Sequence, residues 1–311
     1  MAGRLAGKRA IVFGAGSSGP GYGNGKAAAV EYAREGAHVA CVDLSPAAAE
    51  ETHQLIADEG LSSIAIAADV TRQGSVDEAV RQVAQTFGGI DILHNNVGVT
   101  HMGGPVELSE ESFQASVDLN IGSVYRTAKA VLPLMEQQNH GAIINISSLA
   151  AIRWTGYPYF AYYAMKAAVN QSTVAIAMQY ARRGIRANCI LPGLIDTPLI
   201  YKQISAQYAS ADEMVAARSR SVPVGHMGDA FDIARAMALG ADWCNAARGF
   251  MFSIGCIQSL SCHTDRCPTG VATQDPRRQR ALVVGDKSQR VFHFHHNTLH
   301  ALGELAGAAG L

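Results

Sequence analysis

Strand and helix alternate along most of this chain, and the alternation predicts a doubly wound parallel α/β sheet with helices on both faces, plus an atypical carboxyl-terminal extension. Three observations carry the prediction. Short apolar runs such as "RAIVFGAG" and "HVACVDLS" have the length and content of buried strands, and segments such as "GNGKAAAVEYAREGA" have helical periodicity. The composition, nearly half apolar with few charges, suits a large buried sheet in a chain of 311 residues.

The elements follow in order. "RAIVF" is the first strand; it runs into the glycine-rich loop "GAGSSGPGYGNG" and then into an alanine-rich helix that stops at Gly36. "HVACVDLS" is a second buried strand ending on Asp43. "SSIAIAADV" is a third, closing on Asp69 and Val70, and "SVDEAVRQVAQTF" is an amphipathic helix. "GIDILHNNVG" is a fourth strand that delivers Asn95, Asn96 and Gly98, and "GAIINISS" and "IRANCILPG" supply a fifth and a sixth, each after a long helical segment.

The first strand, loop, helix and Asp43 have the spacing of a dinucleotide-binding βαβ unit. Glycines let the backbone approach a pyrophosphate, and amides at the start of the following helix supply donors and positive potential. Ser17, Ser18 and Asn24 are the candidate amide donors. Asp43 is placed to accept hydrogen bonds from the adenosine ribose hydroxyls and to repel a 2′-phosphate, which favours NAD over NADP.

Such sheets bind ligands at the carboxyl ends of their strands. Ser148 closes the fifth strand there, and the helix after it contains "YFAYYAMKAAVNQ", in which Tyr162 and Lys166 are four residues apart and share a face. A phenol with a pKa of about 10 is a poor base near neutrality, and a neighbouring ammonium lowers it by stabilising the phenolate. Tyr162 thereby becomes an acid/base candidate, with Ser148 on the substrate oxygen and Asn120 holding a water that links Lys166 to solvent. Tyr159 and Tyr163 have no lysine four residues ahead and are read as packing or pocket residues.

On these residues the chain closely resembles the short-chain dehydrogenase/reductase family over residues 4–230. The resemblance implies a single Rossmann-type domain in which Gly14, Gly23 and Gly25 form the glycine motif. Asp43 takes the place of the NAD-selecting acid, and Asp69, with Val70 beside it, that of the adenine-contacting aspartate. "NNVG", with Asn96 and Gly98, stands where the family has NNAG. Asn120, Ser148, Tyr162 and Lys166 fall on its catalytic tetrad. Pro192 and Gly193 line the nicotinamide pocket, the Ile195 backbone meets the carboxamide, and Thr197 contacts the cofactor. Two departures stand out: the glycine loop is longer than usual, and Phe13 replaces the threonine that commonly precedes the first glycine. The implied reaction is reversible hydride transfer between nicotinamide and an alcohol or ketone, in a homo-oligomer, tetramer or dimer. "IRWTGYPYF" and the segment from Ile200 to Gly228 are expected to form the pocket and its lid, with Trp154, Tyr157, Ile200 and Tyr201 favouring an apolar substrate.

From about Phe231 the sequence instead resembles the closing part of the FMN-binding domain of glutamate synthases. In that family three cysteines spaced as Cys256, Cys262 and Cys267 hold a [3Fe-4S] cluster. A cluster also needs a shell that positions its ligands, and the surrounding barrel has no counterpart here. An inert fusion remnant is the leading reading, beside an occupied cluster and a zinc ion held by the three cysteines and His263. The expected boundary sets a dehydrogenase domain at 1–254, its last helix and strand supplied by 231–254, and a tail at 255–311.

Composition bounds the remaining classes. A formal net charge of −1 argues against a nucleic-acid surface, and no apolar run is long enough to span a bilayer. Cys41, Cys189 and Cys244 sit in apolar surroundings and read as reduced thiols of a cytoplasmic protein, consistent with no apolar segment of signal length before the first glycines. Two alternatives to the dehydrogenase remain: an iron–sulfur electron-transfer protein, and a non-catalytic dinucleotide sensor, which has no need of the intact tetrad.

Overall fold

In β1 (Arg9–Phe13) every second residue enters the same hydrophobic cluster, as strand geometry requires. Ile11 and Phe13 pack with Leu93, Ile143 and the helices on one face of the sheet, whereas Ala10 and Val12 pack with Val39, Cys41 and the helices on the other. Both faces are buried, which is why this strand reads as an unbroken apolar run. The computed structural model describes residues 3–222 and 225–233. The chain divides into two units, Met1–Ala238 and Leu239–Leu311, and every residue described below belongs to the first.

The other strands are β2 (His38–Asp43), β3 (Ser63–Ala67), β4 (Ile92–Asn95), β5 (Gly141–Ile146) and β6 (Ile185–Ile190). They form one parallel sheet in the order β3-β2-β1-β4-β5-β6. The order reverses between β1 and β4, and a crevice opens at that switch point, where ligands bind in such sheets. The doubly wound parallel sheet expected from the alternation is therefore the observed architecture.

Helices cover both faces. α1 (Asn24–Arg34) and α2 (Pro46–Asp58) place Ala29, Val30, Ala33 and Ile56 on one; α3 (Gln73–Phe87) and α5 (Ser123–Gln138) place Val76, Val80, Val83, Val131 and Met135 on the other. The buried stripe of α3 recurs at three- and four-residue steps, as the amphipathic pattern predicts. Before α5, α4 (Glu110–Val117) passes into a π-helical turn, Asp118–Gly122, that buries Asn120 completely. α6 (Phe160–Tyr180) follows β5 and carries Tyr162 and Lys166.

Beyond β6 a short pair, β7 (Ile195–Asp196) with β8 (Gly228–Asp229), brackets α7 (Pro198–Gln203) and α8 (Ala211–Arg220). Residues 230–233 are helical, and the rest of the expected helix, the strand at 250–254 and the tail at 255–311 lie outside the described residues. Among the described residues no helix is long and apolar enough to cross a membrane. Cys41 and Cys189 are free thiols, as expected; Cys244 is outside the described residues.

The amino ends of the strands are tied by one carboxylate. Asp91 accepts hydrogen bonds from the Arg9 amide and guanidinium, each at 2.8 Å, and from His140 at 2.6 Å. Burial alone would raise the Asp91 pKa, but these donors hold its carboxyl well below the usual carboxylate range.

Candidate active site

The crevice at the carboxyl ends of the strands is one continuous cavity of about 1090 Å³. At one end is the glycine loop. Gly14 has φ +79°, a conformation that favours glycine, and the Asn96 side chain donates to its carbonyl at 3.1 Å. A Cβ on Gly16 would stand 2.6 Å from Ala48 Cβ and 2.8 Å from Asp43 Oδ2, so only glycine lets the loop lie this close to the end of β2. The longer loop is held from beneath by Lys26, which is buried and donates to Glu51 at 2.6 Å and to the Gly21 carbonyl at 3.3 Å.

Asp43 accepts from the Gly16 amide on one oxygen and from the Ser45 amide on the other, each at 3.0 Å. Each carboxylate oxygen has further lone-pair capacity for a ligand hydroxyl. Asp69 lines the same end; Thr71 donates to it twice and lowers its pKa. Within this end the buried Ser17 Oγ and Asn24 Oδ1 have no hydrogen-bond partner among the described residues. The Ser17 hydroxyl can donate to a dinucleotide phosphate seated on the glycine cradle, and Asn24 Oδ1 can accept from a ligand hydroxyl.

At the middle of the cavity Ser148, Tyr162 and Lys166 converge. Lys166 is buried, donates from Nζ to the Ile146 carbonyl at 2.7 Å, and lies 5.6 Å from the centre of the Tyr162 ring. Ser147 is turned away, donating to the Lys166 carbonyl at 3.0 Å, so the neighbouring serines are divided between structure and cavity. Burial pushes the Lys166 pKa down to about 8. Tyr162 departs from the expectation of a depressed phenol: burial pushes it up, and the hydrogen bond with Ser148 opposes that rise. Burial therefore favours the neutral phenol at Tyr162.

Most of the expected residues line the cavity together: Gly14, Ser17, Ser18, Gly23, Asn24, Asp43, Asp69, Val70, Asn96, Gly98, Ser148, Tyr162, Lys166, Pro192, Gly193, Ile195 and Thr197. Gly25 and Asn120 stand behind it. A Cβ on Gly25 would lie 2.0 Å from the Gly14 carbonyl oxygen, so its role in this structure is the close approach of α1 to β1. Asn120 exchanges hydrogen bonds with the Val99 backbone at 3.0 and 3.3 Å. A Cβ on Gly98 would meet Lys166 Nζ at 3.0 Å and Asn120 Oδ1 at 3.1 Å, so the two side chains flank one glycine.

At the far end Trp154, Tyr157 and Ile200 line the cavity as expected, with Tyr159; Tyr201 does not. Tyr163 is a packing residue whose hydroxyl bonds Thr155 and whose ring stacks on Trp154 at 5.3 Å. Sequence reasoning missed Gly16 and Arg218. Among the described residues no group of His, Cys, Asp or Glu is placed to hold a metal, and Cys256, Cys262, His263 and Cys267 lie outside them.

Comparison with known proteins agrees with this geometry. Residues 21–248 match a family model described as enoyl-(acyl carrier protein) reductase, and residues 198–311 match one described as a conserved region in glutamate synthase. The chain is 35% identical over 243 residues to 2,5-dichloro-2,5-cyclohexadiene-1,4-diol dehydrogenase LinX of Sphingobium indicum, covering 78% of this chain and 92% of that protein. It is 34% identical over 233 residues to 2-keto-3-deoxy-L-fuconate dehydrogenase of Xanthomonas campestris, covering 75% and 73%. A Burkholderia xenovorans structure described as a short-chain dehydrogenase/reductase aligns with TM-score 0.71 and 41% identity over 76% of this chain and 90% of that one. The 3-ketoacyl-(acyl-carrier-protein) reductase of Brucella melitensis, complexed with NADH, aligns with TM-score 0.67 and 30% identity over 76% and 91%. Sheet order, glycine cradle and sequence kinship lead to one conclusion: the chain belongs to the short-chain dehydrogenase/reductase family of oxidoreductases.

Proposed function

We propose that the chain is an NAD-dependent dehydrogenase or carbonyl reductase acting on a small-molecule alcohol or ketone, with Tyr162 as its acid/base group. The observation that carries this reading is the continuity of one cavity: the glycine loop and Asp43 at one end, Ser148, Tyr162 and Lys166 at its middle. The relatives' names, a diol dehydrogenase and a keto-sugar-acid dehydrogenase, support the same reaction class. So does the Brucella reductase bound to NADH.

When bound, the nicotinamide supplies or accepts the hydride. The chain's own residues manage the proton. Ser148 holds the substrate oxygen, and Tyr162 donates a proton to it in reduction or takes one in oxidation. Lys166, protonated at neutral pH even with its pKa near 8, stabilises the phenolate that remains after donation. Asn120 fixes the backbone at Val99, beside Gly98. Asp43 favours NAD, because a 2′-phosphate would place like charges together at the end of β2.

A second reading attaches to the carboxyl segment, whose match to glutamate synthase takes in Cys256, Cys262 and Cys267. Iron and zinc analysis of anaerobically purified protein separates a metal-bearing chain from one with bare thiols.

The main reading is tested by titrating NADH and NADPH into the full chain and by following nicotinamide absorbance with a panel of secondary alcohols. Tighter binding of NADH together with alcohol-dependent reduction of NAD is the expected result. A chain that binds neither nucleotide contradicts it.

A further inference from the structure

The far end of the cavity holds a cation that the proton chemistry does not use. Arg218, in the last turn of α8, is only 8% exposed and lines the cavity. Its Nε donates to the Met227 thioether at 3.3 Å. Among the described residues no carboxylate pairs with it. The acid of its own helix nearest to it, Glu213, is turned to the Ala209 amide at 2.8 Å. A guanidinium buried against a thioether is costly unless something in the cavity answers its charge.

The acids along the cavity are confined to one end. The acids that line it, Asp43 and Asp69, belong to the ends of β2 and β3 at the dinucleotide end, and no other acid is among the described lining residues to accompany Arg218. Arg218 also adjoins the tyrosine cluster. Burial pushes the Tyr159 and Tyr208 phenols up, and the Arg218 charge draws both back. Tyr159 in turn lies edge-on to Tyr162, ring centres 6.1 Å apart. A substrate whose reacting oxygen meets Tyr162 therefore extends past Tyr159 toward Arg218.

We infer that the substrate is a hydroxy or oxo carboxylic acid whose carboxylate is received by Arg218. This rests on the dehydrogenase reading above and names its substrate class. The planar guanidinium matches a carboxylate with two parallel hydrogen bonds. One buried cation balances one negative charge, and the tyrosines and Ile200 between the two ends suit a short carbon chain. The pocket's apolar wall was the legible part in sequence; the cation at its end was not.

The test uses the full chain with NAD, β- to ω-hydroxy carboxylates of three to eight carbons, the methyl ester of each, and the matching phosphate monoesters of diols. The wild-type chain is expected to prefer the acid to its ester. In Arg218→Met that ratio of kcat/KM values falls by about 10- to 100-fold, mainly through KM, the loss expected for charge-assisted hydrogen bonds. Arg218→Lys, a point charge without the fork, restores part of it. NADH titration of each variant reports whether it is folded. Butyrate binding to the NADH complex, compared between wild type and Arg218→Met, reads the carboxylate site without turnover. Turnover of esters as fast as acids, a preference for the phosphates, or an unchanged ratio in Arg218→Met overturns the inference and leaves the dehydrogenase standing. Arg218-dependent butyrate binding without turnover of any panel member leaves a carboxylate site but overturns the substrate inference together with the dehydrogenase reading it rests on.

Discussion

The two ends of the same parallel strands treat charge in opposite ways. At the amino ends Asp91 is met by Arg9 and His140, while Gln138 exchanges hydrogen bonds with the Ile90 backbone, so each of these polar groups has a partner. At the carboxyl ends Ser17 Oγ and Asn24 Oδ1 lack partners among the described residues, Lys166 is buried with its pKa pushed down to about 8, and Arg218 has a thioether and, among the described residues, no carboxylate. One end satisfies itself and stabilises the sheet. The other leaves polar groups unanswered among the described residues, as a site for a cofactor and substrate would.

If the difference is real, substitutions at the two ends have different readouts. Among residues that support Tyr162, the largest effect is expected from Lys166→Met, which removes the ammonium that stabilises the Tyr162 phenolate: kcat falls by about a hundred- to a thousandfold, measured at saturating cofactor. Next is Asp43→Ser, for which the ratio of NADH to NADPH affinity drops by about 10- to 100-fold, measured by titration. Unchanged discrimination would leave Asp43 a loop anchor for Gly16 and Ser45 alone.

At the amino end Asp91→Asn is expected to cost about 2 kcal/mol in denaturant unfolding, less than a fully buried pair because Arg9 and His140 are partly exposed. Its kcat/KM should match wild type. Because the folded-state pKa of Asp91 is depressed, the stability it contributes is complete above the unfolded carboxylate range and is lost as pH falls below about 4. The smallest effect runs the same way with pH, as the relief of a burial penalty in place of the gain of a partnered charge. Lys166 is a cation with a folded pKa lowered to about 8, so the unfolded state holds the extra proton above that pH, and stability rises as pH rises. Between pH 7 and pH 9 the gain is about 1 kcal/mol, seen as a difference between wild type and Lys166→Met.

The sheet was readable because both faces of its strands are buried, so β1, β2 and β4 appear as apolar runs that lead into Gly14, Asp43 and Asn96. Tyr162 and Lys166 were readable because helical spacing alone puts them on one face. Three things were not. Gly25 looked like a phosphate-binding glycine, yet its neighbours are Gly14 and Asn96, a contact that depends on how close α1 approaches β1. The Tyr162 phenol was expected to be depressed by Lys166, but burial is a property of the assembled pocket and acts the other way. Arg218 lies in a segment read as an apolar lid, and nothing in "AARSR" distinguishes a solvated arginine from one that α8 carries into a cavity.

The central claim is that dinucleotide cradle and Tyr162 are parts of one catalytic site. It is tested most directly by Tyr162→Phe, with NADH affinity and turnover measured on the same sample. Turnover reduced by about a thousandfold, with NADH affinity near that of wild type, is the predicted result. Turnover that survives the loss of the phenol hydroxyl would contradict it and move the proton donor elsewhere.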